Sequence, residues 1–201
     1  GENLLTWLSE HPTATLQLDP NGRIVSADAD LVQSSSARGP AYMRYPKPDL
    51  VAPGASVLSA YHGSTDDSPS YAQLSGTSVA CAHLAGAAAL LLQAHPAWGH
   101  DQVKTALMAT SRASGIGRED SASSQAGVLE RGSGLIDVSA AAEAPLLFRP
   151  ASLAVPQGVV GASHPLQLGV RDTRVAGDSL TYATTISATV GITVSAPTTV
   201  T

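Results

Sequence analysis

The sequence predicts a mixed α/β domain that gives way near residue 148 to the opening of an all-β sandwich. Three observations carry that prediction. A helix-length stretch, residues 78–94, is built almost wholly from Ala, Leu, Val, Gly and Cys, and a helix apolar on every side must be surrounded by protein. Short alternating stretches before it read as strands divided by turn residues. From Phe148 onward, Thr and Val dominate four short alternating stretches, residues 152–155, 166–170, 180–186 and 192–194. A complete sandwich takes about seven strands, so this stretch reads as a partial one.

Taken in order, residues 3–10 carry Leu4, Leu5, Trp7 and Leu8 on one face of a short helix that His11-Pro12 ends. Residues 13–18 and 23–27 read as strands, with Asp19-Pro20-Asn21-Gly22 as the turn between them. Residues 34–40 and 45–54 are loop-like, residues 55–61 a short strand, and residues 62–70 a polar loop. Pro96 stops the apolar helix. Residues 99–108 fit a second helix with Asp101 favourably placed in its first turn. Residues 111–131 read as a polar, Gly/Ser-rich loop, and residues 137–144 as a last short helix before Pro145.

Composition narrows the function. The 201 residues suffice to bury a core, yet only 13% are charged, while Gly (18) and Pro (13) are plentiful. Such a balance suits a compact extracellular protein. A net charge of −5 without any Lys/Arg cluster gives no footprint for nucleic acid. Cys81 is the sole cysteine, so no disulfide forms within the chain. The apolar run 84–94 is too short for a membrane span, and no glycine-rich phosphate loop points to a nucleotide. The chain opens at Gly1 directly into a helix-like segment, as expected of a piece of something longer.

The chemistry sits in Gly76-Thr77-Ser78-Val79-Ala80-Cys81-Ala82-His83-Leu84-Ala85-Gly86. A serine in the first turn of a buried helix lies beside free backbone N–H groups and the positive end of the helix dipole. Acyl transfer develops negative charge on a carbonyl oxygen, which such groups stabilise. Gly76 would let a substrate backbone approach, and the small residues beyond Ser78 let the helix sit deep. Taken locally, a Gly-Thr-Ser helix start is more often an ordinary N-cap. The α/β-hydrolase motif is not met, because Gly76-Thr77-Ser78-Val79-Ala80 lacks the second glycine.

The wider pattern decides between these. The segment resembles the Gly-Thr-Ser-Met-Ala-x-Pro-His-Val-Ala-Gly signature of the subtilisin-like serine peptidases. Upstream, Lys47-Pro48-Asp49-Leu50-Val51-Ala52-Pro53-Gly54 resembles that family's Lys-Pro-Asp-Ile-Val-Ala-Pro-Gly block. Ser35-Ser36-Ala37-Arg38-Gly39-Pro40 resembles its Ser-Ser-Arg-Gly-Pro block with Ala37 inserted. Downstream, residues 103–110 and Gly132-Ser133-Gly134-Leu135-Ile136-Asp137 match the two segments that follow the serine helix. Val79 stands for Met, removing an oxidisable sulfur, and Ala82 stands for Pro, which favours the helix.

The resemblance implies a domain plan and a chemistry. Residues 29–147 would be the C-terminal half of a subtilisin-like parallel-sheet catalytic domain, residues 1–28 the tail of a protease-associated insert, and residues 148–201 a partial fibronectin type III-like sandwich. Ser78 would be the nucleophile of a secreted serine endopeptidase acting on proteins or peptides. The backbone of Gly76, Thr77 and Ser78 would line the substrate carbonyl, with the Ser78 N–H as an oxyanion donor. The family's Asp, His and oxyanion Asn should precede the serine, and residues 1–77 hold none in the right context. Asp49, Asp66 and Asp67 have the wrong neighbours, and His62 lacks the Gly-Thr that should follow it. Those groups are expected upstream, making the upstream half of the same domain this chain's partner. The chain alone should then be inactive; the alternative is a noncatalytic remnant with a structural or binding role.

No cofactor is expected. Calcium, often bound in the family, has no assignable ligands here. His83 lies five residues beyond Ser78, about 140° around the helix, and is expected to point away and bond within the core. His62 reads as a solvated loop residue, although its position before the serine would let it line the cleft. His11, His95, His100 and His164 show no metal-ligand spacing. Cys81 takes a position where the family uses small residues, so packing is the expectation.

Overall fold

An 18-residue helix, α1 (Thr77–Ala94), forms where the sequence is richest in Ala and Leu, the strongest helix formers. It ends at His95, whose N–H closes on the Leu91 carbonyl, just ahead of Pro96. A second helix, α2 (His100–Ala109), starts at Gly99, with Gln102 Oε1 accepting the Gly99 N–H at 2.8 Å and Asp101 in its first turn. Two short helices follow, α3 (Val128–Arg131) and α4 (Val138–Ala142). The Asp137 carboxylate caps α4 by accepting the Ala140 N–H at 2.9 Å.

The computed structural model describes residues 9–11, 29–42, 45–62, 70–154, 163, 165–174, 182–183 and 199–200. The chain divides into two compact units, Gly1–Asp30 and Leu31–Thr201. In the first, Ser9 and Glu10 are helical, in keeping with the end of the expected helix. The strands expected at 13–18 and 23–27 and the turn between them lie outside the described residues.

In the second unit, β1 (Leu31–Val32) pairs in parallel with β4 (Gly117–Arg118), and β4 pairs antiparallel with β5 (Ser121–Gln125). A two-stranded antiparallel ribbon joins β2 (Val57–Tyr61) to β3 (Ser70–Leu74), in register Val57↔Leu74 through Tyr61↔Ser70. Another joins β6 (Leu146–Arg149) to β7 (Gly169–Asp172), and β8 (Tyr182–Ala183) pairs with β9 (Thr199–Val200). The α/β class holds. The expected parallel sheet is represented among the described residues by β1 with β4 and a single parallel bridge, Val51↔Leu135.

Four expectations need correction. Residues 111–131 are not a loop but hold β4, β5 and α3; Ser and Gly gave no period for a strand, and pairing with neighbouring backbone made one. Residues 146–149, read as a boundary, form β6, whose Phe148 N–H is accepted by the buried Thr105 hydroxyl at 3.0 Å. The strand expected at 166–170 begins at Gly169 and runs to Asp172. The expected strand at 152–155 is absent through Ala154, and residues 192–194 lie outside the described residues.

The core gathers Ala87 and Leu91 of α1, Val103, Ala106 and Leu107 of α2, and Ala141, Ala144 and Leu147. His95 stacks on Trp98 at the end of α1, centroids 3.9 Å apart, and donates Nε2–H to the Ala142 carbonyl at 2.8 Å. At 18 residues, α1 is long and apolar enough to cross a membrane by length and composition, beyond what the 84–94 run suggested. Its Ala87 and Leu91 side chains are buried in a core shared with α2 and the segment 141–147, while most of the helix, expected to be surrounded by protein, is exposed among the described residues.

Candidate active site

The site is built outward from the turn between β3 and α1. Gly76 caps the helix with φ 153° and ψ 162°, a conformation that L side chains rarely adopt, so glycine is required. A Cβ there would also come 3.3 Å from the Ser78 hydroxyl oxygen. The Gly76 carbonyl accepts the N–H groups of Val79 at 3.1 Å and Ala80 at 3.2 Å. Thr77 and Ser78 thus take the first two helical positions, whose N–H groups have no acceptor one turn back. Gly76 is the cap residue, and no side chain bonds to the helix start. The Ser78 side chain is exposed, and its hydroxyl is not consumed as a cap.

The other family-like blocks converge on this turn and on one another. The Gly54 carbonyl accepts the Gly76 N–H at 2.8 Å. Ser56 N–H donates to Ser75 Oγ at 2.8 Å and Gln73 Nε2 to the Ser56 carbonyl at 3.1 Å, tying the base of the β2–β3 ribbon. Farther back, Val51 N–H bonds the Gly134 carbonyl at 2.9 Å and Ile136 N–H bonds the Val51 carbonyl at 3.0 Å. Ser133 donates both its N–H and its hydroxyl to the Asp49 carbonyl, at 2.9 and 3.0 Å.

Charge closes the arrangement. Asp49 Oδ2 lies 2.6 Å from Lys47 Nζ and 3.0 Å from Lys104 Nζ of α2. Burial opposes its ionisation, but the two ammonium groups outweigh that and hold its carboxyl below the usual range. Arg38 bonds Asp120 at 2.8 Å and reaches Glu130 at 3.2 Å, while Gly39 N–H donates to the Leu129 carbonyl at 2.8 Å. Segments that stand apart in the sequence are thereby joined to one another, and the block ending at Gly54 is joined to the turn at Gly76.

What the site lacks is equally plain. Among the described residues, no histidine or carboxylate hydrogen-bonds to Ser78. His83 donates its Nδ1–H to the Val79 carbonyl at 3.2 Å, four residues back along its own helix. It is exposed rather than held in the core as expected, and so is Cys81, expected to be packed. Both lie on a stretch of α1 that no other described element covers. His62 is exposed, His95 is used in packing, and His100 sits beside Asp101 at 3.2 Å; His164 lies outside the described residues. No three His, Cys, Asp or Glu side chains among the described residues form a cluster able to hold a metal. Sequence reasoning missed the contact of Gly54 with Gly76; residues 45–54 read as loop, with no signal for that partner.

Comparison with known proteins agrees with the motifs. The subtilisin-like protease SBT1.6 of Arabidopsis thaliana is 38% identical over 122 residues, 55% of this chain and 16% of that protein. SBT1.5 of the same plant is 41% identical over 113 residues, covering 51% and 14%. SBT3 of Solanum lycopersicum is 36% identical over 124 residues, covering 55% and 16%. The chain thus spans about a sixth of the length of the curated relatives it matches. Among solved structures, fervidolysin from Fervidobacterium pennivorans, a keratinolytic enzyme related to subtilisin, superposes with a TM-score of 0.36 at 25% identity, covering 46% of this chain and 15% of its own. The profile of the subtilase family matches residues 13–133, more than half the sequence and all of the serine block. This chain belongs to the subtilase family.

Proposed function

We propose that this chain is the nucleophile-bearing part of a secreted serine endopeptidase, with Ser78 as the residue that attacks the scissile carbonyl of a protein or peptide substrate. The observation that supports it is the Ser78 hydroxyl itself: exposed, at the second position of a helix capped by glycine, and not used to cap that helix. In the attack, Oγ bonds to the carbonyl carbon while its proton passes to a base, and the carbonyl oxygen becomes an oxyanion. The Ser78 N–H, free of an intrahelical acceptor, would donate to that oxyanion, with the positive end of α1 favouring the charge. Collapse of the tetrahedral species expels the amine and leaves an acyl group on Ser78.

The base, the carboxylate that orients it and a side-chain oxyanion donor belong, on this reading, to sequence preceding Gly1. So does the remainder of the protease-associated insert, and so do the protein walls that would cover α1. The last strands read here would begin a fibronectin type III-like sandwich. Without the base, a serine hydroxyl is a poor nucleophile, so the chain alone is inactive. The test is to read the coding sequence upstream of Gly1. The expected result is a signal peptide, then an Asp-Thr/Ser-Gly block, a His-Gly-Thr block and an Asn, in that order. An intact upstream frame with the Asp and His replaced would overturn the catalytic reading in favour of a noncatalytic remnant.

A further inference from the structure

The serine turn is held from behind by a residue with no side chain. The Gly54 carbonyl accepts the Gly76 N–H at 2.8 Å, which draws the two backbones together. A Cβ at Gly54 would lie 2.8 Å from the Gly76 carbonyl oxygen, 2.9 Å from Ala80 Cβ and 3.1 Å from Ala80 N. The first two distances are shorter than real Cβ contacts, so something must shift. Two of the three atoms are backbone, and all three belong to residues within two positions of Ser78. The Gly76 carbonyl is also the acceptor that starts α1, through Val79 and Ala80. Gly76 cannot retreat without lengthening either that first helical bond or its own bond to Gly54.

The geometry points to Gly54 as a positioning residue that sets where the Ser78 hydroxyl stands. This rests on the reading of Ser78 as the nucleophile. Gly54 touches no reacting atom; it fixes the carbonyl from which the first helical turn is hung. Any side chain at 54 pushes on Gly76 and Ala80, and the hydroxyl carried between them moves with the turn. Misplacement of a reacting group by about 1 Å costs about 100-fold in rate. A shift of a few tenths of an ångström should therefore lower turnover without altering the distant surfaces that bind substrate.

The experiment uses the full-length parent protein and three variants, Gly54→Ala, Ala80→Gly and the double Gly54→Ala/Ala80→Gly. Each is followed by thermal unfolding, by the rate of Ser78 labelling with a fluorophosphonate, and by kcat and KM on a peptide. Gly54→Ala is expected to unfold cooperatively, with kcat and labelling reduced by up to about 10-fold and KM nearly unchanged. The double variant removes the Ala80 methyl group and should recover several-fold of that loss. Where Gly54→Ala does not fold, the double variant is compared with Ala80→Gly: slower labelling supports the positioning role and equal labelling overturns it. A folded Gly54→Ala that labels at the parent rate overturns it alone. Failure of both Gly54 variants to fold overturns it in favour of simple packing. An unlabelled parent overturns the nucleophile reading and carries this one with it.

Discussion

The two sides of α1 are almost equally apolar in sequence and oppositely placed in the structure. On one side Leu91 is 1% exposed, sealed with Ala87 into the core that α2 and residues 141–147 complete. On the other, Leu90 is 58% exposed, and Leu92, Cys81 and Ala85 are open with it. The β2–β3 ribbon that leads into the serine is open too, with Leu58 at 70% and Tyr71 at 69%. Exposed apolar surface of this extent marks a place where another surface belongs. The contrast teaches that α1 is written for burial all round. Its exposed positions run the length of the helix, from Ser78 and Cys81 to Leu92.

Substitution at adjacent positions breaks or sharpens that contrast. Leu91→Ala in the isolated chain should cost about 2–5 kcal/mol, as large-to-small changes in a filled core do. Leu90→Ala should stay within about 0.5 kcal/mol. Chemical denaturation of both variants measures the gap, and equal losses would mean the two faces do not differ as described. In the full-length parent, where we propose that the outer face is covered, Leu90→Ala should move toward the cost of Leu91→Ala. No such movement would leave that face without a cover.

A smaller effect separates the scaffold from the open face by pH. The Asp49 carboxyl, held below its ordinary range by Lys47 and Lys104 against burial, binds its proton less readily folded than unfolded. Its contribution is therefore present above the unfolded value of about 3.9. It is lost as pH falls through the lower folded value. Asp49→Asn should lower stability at neutral pH and flatten the acid limb of the stability profile between those values. Urea titrations at a series of pH values read this directly. An unchanged acid limb would mean the Lys47–Asp49–Lys104 contact contributes nothing to folding.

Legibility followed the same division. The span of α1, the position of α2 with Asp101 in its first turn and the short helix near residues 137–144 were readable because propensity, Pro96 and polar starts are local signals. The family was readable because several blocks resembling its motifs stand in order along the chain, and the family match over residues 13–133 agrees with them. What could not be read depends on partners distant in the chain. Ser121-Ala122-Ser123-Ser124-Gln125 has no strand pattern of its own and becomes β5 by pairing with β4. Cys81 and His83 were expected in a core because an all-apolar helix carries no periodicity that tells a covered face from an open one. Residues 45–54 read as loop, but the contact of Gly54 with Gly76 and Ala80 exists only after residues 54 and 76–80 have come together.

The central claim, that Ser78 is a nucleophile completed by groups outside this chain, is tested most directly by fluorophosphonate labelling. The isolated chain, the full-length parent and the Ser78→Ala form of each are labelled side by side. Losing triad members costs about 10⁴ to 10⁶ in turnover even with the rest of a site assembled. The isolated chain should therefore label no faster than its own Ser78→Ala form. The parent should label rapidly, and only with Ser78 present. Rapid Ser78-dependent labelling of the isolated chain would reveal a base within it, and a well-folded parent that does not label would contradict the account outright.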